Sequence, residues 1–96
     1  MAVMVSIVVF AIDPARHDAF VAQMTVEAAR TRGFDGCLGL TVAQAPGSEI
    51  VLIERWASAG HAERFMHWRQ ENGGLDALAR FFVRRPVVQM FQEMAI

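Results

Sequence analysis

Residues 50–68 read IVLIERWASAGHAERFMHW, and this stretch decides the fold. Ile50 to Trp56 is an apolar run rich in β-branched residues, which suits a strand buried on most of both faces. Ser58 is placed to accept a hydrogen bond from the first free amides of a following helix, as an N-cap. That helix carries His61, Phe65, His67 and Trp68 and runs to about Glu71. Both tryptophans, two of the three histidines and Arg55 lie in this stretch, and Arg69 follows it directly.

Working outward, Gly36 to Gln44 alternates, with Leu38, Leu40 and Val42 pointing one way and Gly39, Thr41 and Ala43 the other, which is the period of a strand. Ala45-Pro46-Gly47-Ser48 is a turn by composition, so Glu49 to Trp56 is the return strand of a hairpin. Upstream, Asp13-Pro14 supplies an N-cap and a proline at the first helical position. Phe20, Val21, Met24 and Ala28 then recur at helical spacing to Arg32. Gly33 is expected to end that helix in a left-handed conformation. Val3 to Ile12 reads as a strand with two apolar faces, which needs a cover on each side. Downstream, Asn72-Gly73-Gly74 breaks the chain before a short helix, Leu75 to Val83, with Leu75, Leu78, Ala79 and Phe82 on one face. Pro86 stops it, and Val87 to Met94 is the last strand. The order β-α-β-β-α-(α)-β predicts an α+β, ferredoxin-like chain with an antiparallel sheet, in one domain spanning residues 1–96.

Of the 96 residues, 54% are hydrophobic, a surplus that so small a monomer has little interior to hide. The longest uncharged run, Met1 to Ile12, is too short to cross a bilayer and lacks the basic start and cleavage site of a signal peptide. The expectation is therefore a cytoplasmic homodimer with no membrane partner. Net charge is −1, with nine basic and ten acidic residues interspersed, which argues against nucleic acid as a partner. Cys37 stands alone, so neither an internal disulfide nor a cysteine zinc cluster forms; between Gly36 and Leu38 it reads as a small core residue. His61 and His67 are not at the spacing that puts two ligands on one helix face, and no acid completes a metal site. No glycine-rich phosphate loop or serine-centred triad signature is present.

Gly33-Phe34-Asp35-Gly36-Cys37-Leu38-Gly39 and Leu52-Ile53-Glu54-Arg55-Trp56-Ala57-Ser58 carry a resemblance. With the late helix, proline and strand, they make the chain similar to an antibiotic biosynthesis monooxygenase (ABM) domain of the dimeric α+β barrel superfamily, over about residues 2–94. The resemblance implies two sheets paired face to face into a closed barrel. It also implies oxidation of phenols to quinones by O₂ without metal or flavin, so no cofactor is expected. Fold membership alone does not assign a reaction. Haem-degrading relatives use an asparagine in strand one and a histidine in the late helix; here strand one offers Ser6, and Leu75 to Val83 has no histidine, which disfavours that route.

The candidate site follows from these readings. Trp56 can stack on an aromatic substrate or serve as core. His61, Phe65 and Trp68 share a helix face and can wall an apolar pocket, with the imidazole as polar anchor. His67, on the adjoining flank, is the better-placed general base, with His61 the other candidate. Nine residues after Trp56, where ABM domains often carry a histidine, this chain has Phe65; either His67 stands in from a shifted register or the group is missing. Phe82 and Arg84 complete the substrate-binding set, Arg84 as a stabiliser of a phenolate or peroxy anion or else as a cap or dimer salt bridge. The leading function is a cofactor-independent monooxygenase acting on a small aromatic phenol in an apolar pocket between sheet and helices. The alternative is a non-catalytic dimer that binds a small hydrophobic ligand.

Overall fold

The hairpin forms as the alternation requires, from β2 (Cys37–Gln44) and β3 (Glu49–Trp56). The structure is a computed structural model describing residues 2–96. β1 (Met4–Ala11) pairs antiparallel with β3 on one side and with β4 (Val87–Gln92) on the other, giving the sheet order β2-β3-β1-β4. α1 (His17–Arg32), α2 (Ala59–Glu71) and the short α3 (Gly74–Ala79) complete the ferredoxin-like α+β fold. Asp13 accepts a hydrogen bond from the Ala15 amide and caps a 3₁₀ turn, Pro14–Arg16, that leads into α1. Ser58 accepts one from the His61 amide at 3.2 Å and starts α2.

Strand alternation sends Phe10, Leu40, Ile50, Leu52 and Trp56 to the helical side, where they are buried. Two apolar clusters result. One gathers Phe10, Phe20, Met24, Leu52, Leu78 and Phe81; the other gathers Trp56, Ala62 and Phe65, with Phe34, Cys37 and Trp68 against it. The opposite face carries the rows Val5–Arg55–Phe91, Ile7–Ile53–Gln89 and Val9–Val51–Val87. Its side chains range from half-buried to exposed, with Ile53, Val87 and Phe91 among the exposed ones.

Local expectations at Gly33, Leu38 and α3 are corrected. Gly33 ends α1 in a right-handed conformation (φ −85°), because the Phe34 amide folds back to the Thr31 carbonyl. Gly36 is the left-handed residue (φ +86°), and a Cβ there would sit 2.2 Å from the His61 ring. A bulge between Cys37 and Gly39 leaves Leu38 out of the alternation, half exposed rather than beside Leu40. α3 stops at Ala79, not Val83. The chain then tightens, with the Phe81 amide bonded to the Leu78 carbonyl and the Asp13 amide to the Phe81 carbonyl. That shift of phase buries Phe81 and leaves Leu75 and Ala79 exposed.

Candidate functional site

The two apolar clusters are separated by a polar seam. Along β1, Ser6 lies between Met4 and Val8; along β3, Glu54 lies between Leu52 and Trp56. The two are direct cross-strand partners in the β1–β3 register, so their side chains emerge side by side on the buried face. Glu54 is 5% exposed and Ser6 4%. Above them α2 contributes Arg69, one turn beyond Phe65, at 9% exposure. Its guanidinium lies over the Phe65 ring at 5.6 Å.

These groups border a cavity of about 130 Å³ between the sheet and α2. Val8, Phe10 and Leu52 form its sheet wall, Phe65, Met66 and Gln70 its helical wall, and Leu75, Pro86 and Val88 its rim. Burial pushes the Glu54 carboxyl above its ordinary value of 4.5, while the Arg69 charge and hydrogen bonding from Ser6 and Trp56 pull it partway back. Burial lowers the Arg69 guanidinium, and the charges of Glu54 and Glu27 raise it. Glu27, 2% exposed, takes Gln23 and Arg30 on Oε1, each at 3.3 Å. Arg69 is less well served: its Nε and Nη2 are buried and have no hydrogen-bond partner. A buried cation with unpaired donors beside a largely apolar cavity sets up a strong local field there.

Of the expected site residues, only Phe65 lines this cavity. His67 is exposed on the solvent side of α2, 2.7 Å from Glu71. His61 turns toward the start of its helix, with Nδ1 2.7 Å from the Ser58 hydroxyl and Nε2 3.6 Å from Asp35. It borders a different, open groove with Arg64 and Gln92. Trp56, 1% exposed, is packed by Phe65 (4.8 Å between rings) and Phe34 (6.3 Å). Trp68 meets Phe34 at 5.2 Å, so the aromatic face expected to wall a pocket closes on Phe34 instead. Phe82 stacks on Phe10 at 4.8 Å, and Arg84 pairs with Glu49 at 2.7 Å. The structure thus gathers Ser6, Glu54 and Arg69 with Phe65, and does not bring the histidines to them.

A groove between α1 and β2 is larger, about 310 Å³. Its polar side chains are already engaged, His17 with Gln44 at 3.1 Å and Arg32 with the Leu40 carbonyl at 3.1 Å. It therefore holds no buried unpaired donor of the kind found at Arg69. Burial pushes the Cys37 thiol up, which suits the packing role expected for it and not a nucleophile. Among the described residues no three metal-ligating side chains cluster, and no helix is long and apolar enough to cross a membrane.

A family model described as antibiotic biosynthesis monooxygenase matches residues 3–80. Among solved structures, a conserved protein from Methanosarcina mazei Go1 superposes with a TM-score of 0.89 at 12% identity, over 98% of this chain and 95% of that one. A protein from Mycobacterium tuberculosis gives 0.83 at 21% identity, over 99% and 98%. A mutant of SnoaB, a cofactor-independent oxygenase from Streptomyces nogalater, gives 0.85 at 14% identity, over 100% and 97%. At such identities these likenesses speak for the fold alone. No curated protein matches the sequence.

Proposed function

The chain belongs to the antibiotic biosynthesis monooxygenase family, and from that premise we propose that it oxidises a small phenolic substrate with O₂ in the cavity between the sheet and α2. One observation carries the reading: a buried carboxyl and a buried guanidinium, Glu54 and Arg69, on the wall of a largely apolar cavity. Glu54, when ionised, takes the phenol proton, and the burial that raises its pKa makes it a stronger base near neutrality. The Arg69 charge offsets the negative charge that this transfer leaves on the substrate. Phe65, Val8 and Leu52 hold the ring and keep water out. The electron-rich phenolate then gives an electron to O₂. One oxygen atom joins the ring as a second carbonyl and the other leaves as water, so phenol and O₂ become quinone and H₂O. Glu54 takes the part that sequence reading assigned to His67 or His61, neither of which borders the cavity. A homodimer belongs to the same proposal, supported by the apolar rows on the helix-free face of the sheet.

Oxygen consumption with single-ring hydroxybenzenes tests it. The expected result is uptake above the buffer rate that falls about a hundredfold in Glu54→Gln and persists in His67→Ala. Uptake no faster than buffer for every substrate overturns it. A second reading, ligand binding without turnover, is favoured by the lack of a histidine in the cavity wall. It predicts a ligand-dependent rise in melting temperature with no oxygen consumed.

A further inference from the structure

Ser6 interrupts the apolar helix-facing row of β1, Met4, Val8 and Phe10, as Glu54 interrupts that of β3, Ile50, Leu52 and Trp56. The pairing register sets the two interruptions opposite each other. The row that crosses the sheet there is Leu40–Glu54–Ser6–Met90, so Ser6 supplies the hydroxyl beside the carboxyl. Both side chains are buried and both border the cavity. Packing does not call for the hydroxyl, since alanine fills nearly the same space, and a buried hydroxyl is unfavourable unless it is bonded. Ser6 has one hydrogen to give. β1 is an inner strand whose backbone already pairs with β3 and β4, and the Glu54 carboxylate accepts from the hydroxyl. The other groups around the carboxyl differ in kind. Arg69 from α2 acts through its charge, and the Trp56 indole donates from the same strand. Cys37 from β2 lies close enough to feel the carboxylate, but burial keeps the thiol neutral; Glu27 from α1 acts on Arg69.

We propose that Ser6 is a positioning residue for Glu54: its hydroxyl, donating across the β1–β3 pair to a carboxylate oxygen, steadies the ionised carboxyl in the orientation that takes a substrate proton. This rests on the proposed function in taking Glu54 as the base, and it adds the residue that holds the base ready. A hydroxyl that donates to a carboxylate favours the charged form over the neutral one. Removing it therefore has a signature that lost packing lacks, because its effect depends on pH.

The test follows the Glu54 carboxyl carbon by NMR, in protein labelled with carbon-13 glutamate, through pH titrations of the wild type, Ser6→Ala and Ser6→Thr. Ser6→Ala is expected to raise the Glu54 midpoint by about one pH unit and to move the acid limb of the oxygen-uptake profile upward with it. Ser6→Thr keeps the hydroxyl, has the cavity to receive its extra methyl, and is expected to titrate as the wild type does. The melting temperature of Ser6→Ala should fall further below that of the wild type as pH rises above 4.5, because only the folded acid holds its proton longer. In a Glu54→Gln background the same substitution should have the same effect at every pH. A midpoint unmoved by Ser6→Ala, a Ser6→Thr protein that titrates like Ser6→Ala, or a melting gap constant with pH overturns the proposal. Should Ser6→Ala fail to melt cooperatively, Ser6→Cys, with a weak donor in nearly the same shape, takes its place. Oxygen uptake with an unmoved midpoint sinks this inference alone. A raised midpoint without oxygen uptake sinks the oxygenase reading and leaves Ser6 as the group that holds Glu54.

Discussion

Glu54 occupies a strand position that alternation assigns to the interior, and most of its chemistry follows from that placement. Its folded-state pKa is raised from 4.5 by burial, so the folded chain keeps a proton that the unfolded chain has released. Stability therefore falls as pH climbs from the ordinary carboxylate range through the folded value. Glu54→Gln removes the titration, and its melting temperature should gain on the wild type progressively as pH rises above the ordinary carboxylate value of 4.5. A gap that stays constant across that range contradicts the assignment. Gly36 makes a second residue-scale prediction: with φ at +86° and the His61 ring where a Cβ would go, Gly36→Ala should cost on the order of 2 kcal/mol in chemical denaturation. Glu54 was legible in advance, because Ile50, Leu52, Glu54 and Trp56 share one parity and only one of them is charged. Residue type drew attention to His67 instead, yet its place on α2 faces Glu71 and water. Arg69 was harder to see, since nothing in a sequence says which turn of a helix an inward strand carboxylate will meet.

The hairpin, α1 and α2 were readable as elements because each has a clear period, a cap and a breaker. α3 was not. Its helical spacing continues on paper through Phe82, whereas the hydrogen bonds of Asp13 and Val83 to the Phe81 and Ala11 carbonyls draw the chain back to the end of β1. Tertiary pairing outweighed local period, and the buried aromatic moved from Phe82 to Phe81, which is 1% exposed and edge-on to Phe20 at 5.7 Å. Phe81→Ala should lower unfolding free energy by about 3–5 kcal/mol, and Phe82→Ala by clearly less; urea denaturation of the two variants compares them, and the reverse order would refute the phase shift. The bulge that expels Leu38 is a similar case. Cys-Leu-Gly gives no sign of an extra residue until β3 supplies the register against which it is extra.

At the scale of the whole molecule, the sheet has one face roofed by helices and one that is not. The unroofed face is largely apolar across β3, β1 and β4, with Ile7 beside Ile53 and Val9 between Val51 and Val87. A second copy seated there is the proposed cover. Sedimentation at micromolar concentration should report a dimer, and Ile53→Glu should give a folded monomer with unchanged helical content, because its side chain lies outside the helix-covered core. A wild-type monomer at that concentration removes this part of the reading. The doubly apolar strands were visible in the sequence; which of their sides the helices take was not, since both are equally greasy over Val8 to Phe10.

β4 stands between the two halves of this picture. Val88 forms part of the cavity rim, while its neighbours Val87 and Gln89 turn to the unroofed side. One ribbon, held to the sheet only through β1, is thus shared by the cavity proposed to hold the ligand and by the surface proposed to seat a twin. Occupying either side restrains the other, and such coupling is reciprocal. Dilution that parts the twins should therefore loosen the grip on the ligand, and a saturating ligand should slow their parting.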